Sequence, residues 1–202
     1  MPDTRNDAAG LLRRASSEPT HSTQRKLLTA AAFSTAALDD AVLVGGTAVE
    51  LHTGAYRPTD IGLVGYRKPR YTQSLKDLGF ENRGRHWLFA FGDGETLAIE
   101  IPGDRLDAFA VEPPQVIDLE PGELAVISLN DLMMDRLLQA TGGEPVTLEE
   151  AVRLAVAVYE RIGWAELEGR AARAAPGRSL AGAALPETLA TVRRKAIGLL
   201  RS

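Results

Sequence analysis

The chain has 202 residues and a net charge of −4, with 45% hydrophobic and 25% charged residues, as expected for a globular protein. It contains no cysteine, which excludes disulfides, thiolate nucleophiles and cysteine-ligated zinc. No apolar run approaches the ~18 residues needed to span a membrane. Residues 1–20 lack the apolar core of a signal peptide, so we expect a cytoplasmic protein without a membrane partner.

The first half of the chain predicts alternating helices and strands. Residues 1–20 are polar and are expected to form a flexible arm with one short helical turn at Leu11 to Ala15. An apolar stripe of helical period follows Thr23, which we expect to cap a helix through Leu38. Next come a buried strand, AVLVGG, the first turns of a helix, TAVELH, a second strand, TDIGLVG, and a helix, PRYTQSLKDLGF, that ends at Gly79.

The second half predicts further strands and then helices alone. HWLFAF, TLAIEI and QVIDL have the pattern of three strands, and the turn residues 92–94, Gly-Asp-Gly, predict that a hairpin joins the first two. Ser128 or Asn130 is expected to open the helix LNDLMMDRLLQA. Thr147, followed three residues later by Glu150, is expected to open the next helix through a capping box.

These elements predict an α/β fold, or α+β in some schemes: a small mixed sheet with flanking helices, followed by a helical region. We expect three parts, namely the arm 1–20, an α/β domain 21–127 and a C-terminal helical region 128–202. Residues 56–86 carry seven basic against three acidic side chains. This basic segment could hold phosphates, or it could be an ordinary solvated face.

A strand, the residues Gly45-Gly46-Thr47 and then a helix predict an anion site. The unpaired amides and the dipole at a helix N-terminus both favour negative charge. Glycines let a ligand approach the backbone closely, and Thr47 can add a hydroxyl donor. By itself the motif is weak, because many strand-to-helix turns need glycine for geometry alone.

Carboxylates on neighbouring strands suggest a metal site. Residues at i and i+2 on a strand face the same side, so two acids so placed can bridge divalent ions for phosphoryl transfer. Asp60 is the first such acid, but Gly62 stands two residues later. Glu100, in the alternating strand LAIEI, is a candidate for a further acid. Alternatively, Glu100 is a structural acid on an edge strand that pairs with a nearby arginine.

Together these residues resemble the nucleotidyltransferase superfamily with the DNA polymerase β-like fold, and more closely its AbiEii-type and related toxin-like prokaryotic members. The glycine turn, Arg57, Thr59 and Asp60 stand in the order and spacing of that signature. Asp135-Arg136 resembles the acid–arginine pair that members carry on a later helix. The resemblance covers roughly residues 40–160.

The resemblance implies a site and its cofactor. Asp60 and Glu100 would be the catalytic acids that hold Mg²⁺ or Mn²⁺. Six residues would bind the nucleotide: Gly45, Gly46, Thr47, Arg57, Asp135 and Arg136. The partners implied are an NTP, a tRNA or other RNA, and a cognate antitoxin.

The departure from the family pattern is Gly62, where an aspartate is expected. Four interpretations stay open. Asp104 or Asp107 substitutes for the missing acid; one metal is held by Asp60 and Glu100 and activity is weak; the chain binds nucleotide or RNA without turnover; or position 62 is altered in this particular chain. His52 and His86 are not expected to be metal ligands, because no histidine or cysteine is suitably spaced with them.

Two functions therefore remain in view. In the first, the protein transfers a nucleotide from an NTP to RNA (tRNA) or to a protein hydroxyl, and is the toxin of a toxin–antitoxin pair. In the second, it is a degenerate nucleotide- or RNA-binding module without turnover.

Overall fold

The computed structural model describes residues 4–54, 58–120, 122–141, 145–174 and 180–201, which fall into two compact units. The first unit contains the chain up to residue 106 together with residues 114–127, and the second contains residues 107–113 and the chain from 128 onward. The helices are α1 (Thr4–Ser17), α2 (Thr23–Ala37), α3 (Gly45–Thr53), α4 (Tyr71–Asp77), α5 (Leu129–Ala140), α6 (Pro145–Ala157), α7 (Trp164–Ala174) and α8 (Leu180–Leu200). The strands are β1 (Leu38–Val44), β2 (Asp60–Arg67), β3 (Glu81–Arg83), β4 (His86–Ala90), β5 (Thr96–Glu100), β6 (Gln115–Asp118) and β7 (Glu123–Val126).

The strands of the first unit form one seven-stranded mixed sheet in the order β3-β4-β5-β2-β1-β7-β6. Strand β2 is antiparallel to β1 and parallel to β5, and β1 is parallel to β7. The fold class predicted from the sequence, a mixed sheet with flanking helices, is confirmed. Glu100 lies on β5, which is an interior strand of this sheet and not an edge strand.

The core of the first unit centres on α2, whose alanine-rich sequence lets the helix lie close to its neighbours. The ring of Phe33 is fully buried and meets Phe80 and Trp87 edge-on, at centroid distances of 5.3 and 6.4 Å. Ser22, not Thr23, caps this helix, and its hydroxyl accepts a hydrogen bond from the amide of Arg25. Leu38 begins β1 instead of ending the helix.

The N-terminal segment is a helix, and the prediction of a flexible arm is wrong for its described residues. Four side chains at helical spacing bury one face of α1: Ala8, Leu11, Leu12 and Ala15. The guanidinium of Arg14 also donates to the carbonyl oxygens of Leu119 and Glu120. The polar composition of the segment hid this short apolar stripe, which stabilises the helix through packing and not through propensity.

The buried guanidinium of Arg25 ties α2 to the β4–β5 hairpin. Arg25 is 2% exposed; its Nη1 lies 2.7 Å from both Asp93 and Glu95, and its guanidinium stacks over Phe91. Burial by itself would lower the pKa of Arg25, but the hydrogen bonds to Asp93 and Glu95 outweigh burial and raise it. The hydrogen bond from Arg25 lowers the pKa of Asp93.

The second unit is helical. Ser128 caps α5, as one of the two predicted caps, and accepts from the amide of Asp131. Helix α6 begins at Pro145, two residues before the predicted start at Thr147. Asp131 is 2% exposed and accepts hydrogen bonds from the amides of residues 111 and 112 and from the guanidinium of Arg170. None of the helices in the described ranges is both long and apolar enough to cross a membrane.

Candidate functional site

One row of residues crosses four strands of the sheet next to the glycine turn. Glu100 on β5 pairs with Gly62 on one side and with His86 on the other, and Gly62 pairs in turn with Val44. Asp60 lies two residues before Gly62 on β2, and alternate residues of a strand share a face. Asp60, His86 and Glu100 therefore lie on one face of the sheet, while their chain neighbours Ile61, Trp87 and Ile99 are buried in the opposite face.

Three of these side chains form a cluster that could hold a metal ion. Asp60, His86 and Glu100 each offer one ligand atom, and these atoms all lie within 4.8 Å of one another. The Nε2 atom of His86 is 3.8 Å from Oε2 of Glu100, and the two side chains are 30% and 24% exposed. Arg85, 74% exposed, brings its Nε to 3.7 Å from Oε1 of Glu100. The structure thus brings Asp60 and Glu100 together.

His86 is the member of the cluster that the sequence analysis missed. The expectation that His86 is not a metal ligand rested on the lack of a suitably spaced histidine or cysteine, but its potential partner, Glu100, lies across a strand pair and not nearby along the chain. The hairpin itself contained the signal: residues 86 and 100 are equally far from Asp93, the centre of the predicted turn, and the observed register pairs them. Counting outward from Asp93 would have placed His86 beside Glu100.

Gly62 has a packing reason that the sequence did not reveal. A Cβ built at this position would lie 3.2 Å from Cγ2 and 3.3 Å from the carbonyl oxygen of Val44. Such contacts are tighter than ordinary van der Waals separation, so Val44 must shift by a few tenths of an ångström to admit any side chain. A carboxylate at position 62 would therefore require the same shift of Val44 as any other side chain.

The glycine turn connects β1 to α3 directly. Gly45 adopts φ 68°, a left-handed conformation that favours glycine, and the preceding Val44 makes no side-chain cap. The amides of the first turn of α3 are thus available to an anion. Because Val44 pairs with Gly62 and Gly62 with Glu100, this turn is two strands, or about 10 Å, from Glu100.

Thr47 links the two halves of this site. Its side chain is fully buried, and its hydroxyl donates to the carbonyl oxygen of Asp60 at 3.0 Å. The hydroxyl therefore positions the strand that bears the acid. The prediction that Thr47 helps to bind nucleotide remains a prediction, and its observed hydrogen bond supports an indirect role.

A buried ion pair holds the segment that leads into β2. Lys26 and Glu50 are each 5% exposed and lie 2.7 Å apart. Glu50 also accepts from the hydroxyl of Thr23 at 2.8 Å, and Lys26 donates to the carbonyl oxygen of Pro58 at 3.3 Å. Pro58 is two residues before Asp60, so this pair fixes both α3 and the approach to the cluster.

The proposed substitutes for the missing acid have other partners. The carboxylate of Asp104 lies 2.7 Å from Nη1 of Arg67 in an exposed ion pair. Asp107 belongs to the second unit and accepts from the amide of Phe109. Within the described ranges, neither belongs to a group of three potential metal ligands. Arg57, predicted to contact the triphosphate, lies outside the described residues.

Asp135 and Arg136 are neighbours on α5 in the second unit. Their side chains lie 3.3 Å apart, and Arg136, 12% exposed, also approaches Glu150 at 3.4 Å. Asp135 accepts a hydrogen bond from Gln139. Burial raises the pKa of Asp135, and the positive charge of Arg136 offsets part of that rise. The predicted acid–arginine pair thus exists, and its nucleotide-binding role remains a prediction.

Comparison with known proteins identifies the fold. The chain is similar to the crystal structure of an antigenic nucleotidyltransferase-like protein from Paracoccidioides brasiliensis, with a TM-score of 0.53 and 13% sequence identity over 98% of this chain and 92% of that one. No family model matches the sequence, and no curated protein matches it. The chain therefore has a nucleotidyltransferase-like fold.

Proposed function

We propose that the protein is a metal-dependent nucleotidyltransferase that transfers a nucleotide from an NTP to a hydroxyl of RNA, such as tRNA, or of a protein. The observation that carries the proposal is the placement of Asp60 beside Glu100, next to the Gly45-Gly46 turn, in a nucleotidyltransferase-like fold. Each feature alone is weak, and their occurrence together in a nucleotidyltransferase-like fold supports the proposal.

The roles follow from the chemistry of the side chains. Asp60 and Glu100 would hold a divalent cation, which when bound neutralises triphosphate charge. The amides at Gly45 and Gly46 would bind phosphate oxygens. The acceptor oxygen attacks the α-phosphorus, the bond to the bridging oxygen breaks, pyrophosphate leaves and the hydroxyl proton passes to solvent.

The finer assignments extend this proposal. Arg57 and Arg136 would contact the triphosphate, since guanidinium groups suit bidentate contacts with phosphate. Asp135 would orient Arg136 or a ribose hydroxyl. The resemblance stated from the sequence adds that the protein is a toxin with a cognate antitoxin, an associational argument alone.

A second function, binding of nucleotide or RNA without turnover, is favoured by Gly62. The row across the sheet has no carboxylate there, and the contact with Val44 leaves no room for one without a shift. Two acids instead of three would neutralise less metal charge at the reacting phosphate.

Incubation of the protein with total tRNA, total protein, α-labelled NTPs and either Mg²⁺ or Mn²⁺ tests the first function. Label should enter one acceptor class, and Asp60→Asn should abolish it. Asp104→Asn, which alters an exposed acid paired with Arg67, is the matched control and should retain labelling. Nucleotide binding without any labelling would overturn the first function and support the second.

A further inference from the structure

We propose that His86 is a direct ligand of the cation, so that this site prefers first-row transition cations such as Mn²⁺, Co²⁺ and Zn²⁺ over Mg²⁺. The proposal rests on the proposed cation site of Asp60 and Glu100 and adds a third ligand to it. Glu100 is flanked in the sheet by Gly62, which offers no ligand, and on its other side by His86, which offers an imidazole nitrogen. The result is a single-cation site with two oxygen ligands and one nitrogen ligand.

The geometry requires small movements. With metal–ligand distances of 2.0–2.2 Å, neighbouring ligand atoms in an octahedral shell are about 3 Å apart and opposite ones about 4 Å. The three ligand atoms here lie within 4.8 Å of one another, and His86 and Glu100 are already 3.8 Å apart. Movements of the side-chain ligand atoms by about 1 Å would bring them to the separations of an octahedral shell.

The three side chains are also free of strong competing contacts in the described part of the chain. The partners of Glu100 are Arg85 at 3.7 Å and His86 at 3.8 Å, both beyond hydrogen-bonding distance. The two adjacent carboxylates carry a charge of −2, which the exposed guanidinium of Arg85 offsets in part at 3.7 Å from Glu100. A bound divalent cation would balance the two carboxylates.

The donor set decides the preferred metal. Carboxylate and water oxygens suit Mg²⁺, whereas an imidazole nitrogen suits transition cations, whose affinities rise along the first row. Mg²⁺ also requires near-ideal octahedral oxygen coordination and loses water reluctantly. The lack of a carboxylate at Gly62 and the presence of the imidazole of His86 both favour transition cations over Mg²⁺.

Arg85 opposes the cation. Its guanidinium approaches Glu100 from the solvent side and is 74% exposed, so it can swing away at little cost when a metal binds. Its positive charge should nevertheless weaken metal binding. Arg85→Gln is therefore expected to tighten it, an effect opposite to that of losing a ligand.

Calorimetry and Co²⁺ visible absorption on the full-length, metal-stripped protein, without nucleotide, test the proposal. The unaltered chain should bind Mn²⁺, Co²⁺ and Zn²⁺ more tightly than Mg²⁺, and His86→Ala should weaken Co²⁺ binding by at least about tenfold and change its absorption. His86→Asp, which gives the cluster a third carboxylate, should shift the preference toward Mg²⁺. His21→Ala, which removes the 73%-exposed imidazole of the α1–α2 turn, is the matched control and should change neither.

Equal Co²⁺ affinity and absorption in the His86→Ala and unaltered chains would overturn the proposal, as would a preference for Mg²⁺ in the unaltered chain. Circular dichroism confirms that each variant is folded. The outcome is separable from that of the proposed function. Nitrogen-ligated Co²⁺ without nucleotide labelling supports His86 as a ligand and refutes nucleotide transfer. Nucleotide labelling together with unchanged metal binding in His86→Ala supports transfer and refutes His86 as a ligand.

Discussion

Removal of the buried carboxylate of Glu50 is expected to destabilise the protein strongly. The side chains of Glu50 and Lys26 are each 5% exposed, and their charged atoms are 2.7 Å apart. In Glu50→Ala the ammonium of Lys26 keeps the carbonyl oxygen of Pro58, at 3.3 Å, as its acceptor. Loss of one partner of a buried ion pair costs about 3–5 kcal/mol. The hydroxyl of Thr23 also loses its acceptor, at a cost of about 1 kcal/mol.

Urea unfolding followed by far-ultraviolet circular dichroism measures this effect. The free energy of unfolding should fall by about 4–6 kcal/mol in Glu50→Ala, the sum of the two losses. Glu81→Ala is the matched control, because the ion pair of Glu81 with Arg83 has both side chains about 70% exposed. That substitution should change stability by no more than about 0.5 kcal/mol.

The double variant Lys26→Met/Glu50→Leu separates the ion pair from the volume of its side chains. It removes both charges and should recover most of the stability, because apolar replacement of a buried pair is often neutral. It also serves if Glu50→Ala does not fold. A loss below about 1 kcal/mol in Glu50→Ala, or a double variant no more stable than the single one, would refute the argument.

Three further predictions concern packing, acid stability and the second unit. Gly62→Ala should cost about 1–3 kcal/mol in urea unfolding, because its methyl group presses on Val44; an unchanged stability would contradict the tight contact. Arg25 lowers the pKa of Asp93, so the stability that this pair contributes to the fold is complete above the ordinary pKa of 3.8 and is lost as the pH falls through the lowered pKa of the folded state. Acid titration should therefore show that the stability of Asp93→Asn falls less steeply below about pH 4 than that of the unaltered chain. Asp131→Ala removes the buried carboxylate partner of Arg170 and leaves it the half-exposed Glu166 at 3.6 Å; it should cost about 3–5 kcal/mol by thermal or urea unfolding, and a cost under 1 kcal/mol would count against that pair.

Local sequence patterns predicted most of the sheet. The runs at β4 and β5 are apolar and flank a strong turn signal, and β5 alternates between buried and less buried residues, so the hairpin and its register follow from neighbouring residues alone. The position of Asp60 relative to Glu100 is different in kind. Parallel pairing of β2 with β5 joins segments far apart in the chain, and no local pattern specifies it. The expectation that Asp60 and Glu100 act together came instead from the resemblance of the sequence to a family.

Buried polar groups were the least predictable. Lysine and arginine are rarely buried without partners, so the sequence of α2 by itself gives no reason to expect burial of Arg25 and Lys26. Their partners, such as Glu50, stand on other elements, so burial becomes visible once the helices are packed. Gly62 shows the same limit: the sequence marks a missing acid, whereas the contact with Val44 comes from strand pairing.

The central claim is that Asp60, Glu100 and the glycine turn form a cation-dependent nucleotide site. Titration calorimetry of the full-length protein with an NTP, with and without Mn²⁺, tests it most directly. We expect binding that requires the cation and is lost in Asp60→Asn. An absence of binding at millimolar nucleotide, or binding that persists without metal and in Asp60→Asn, would contradict the claim.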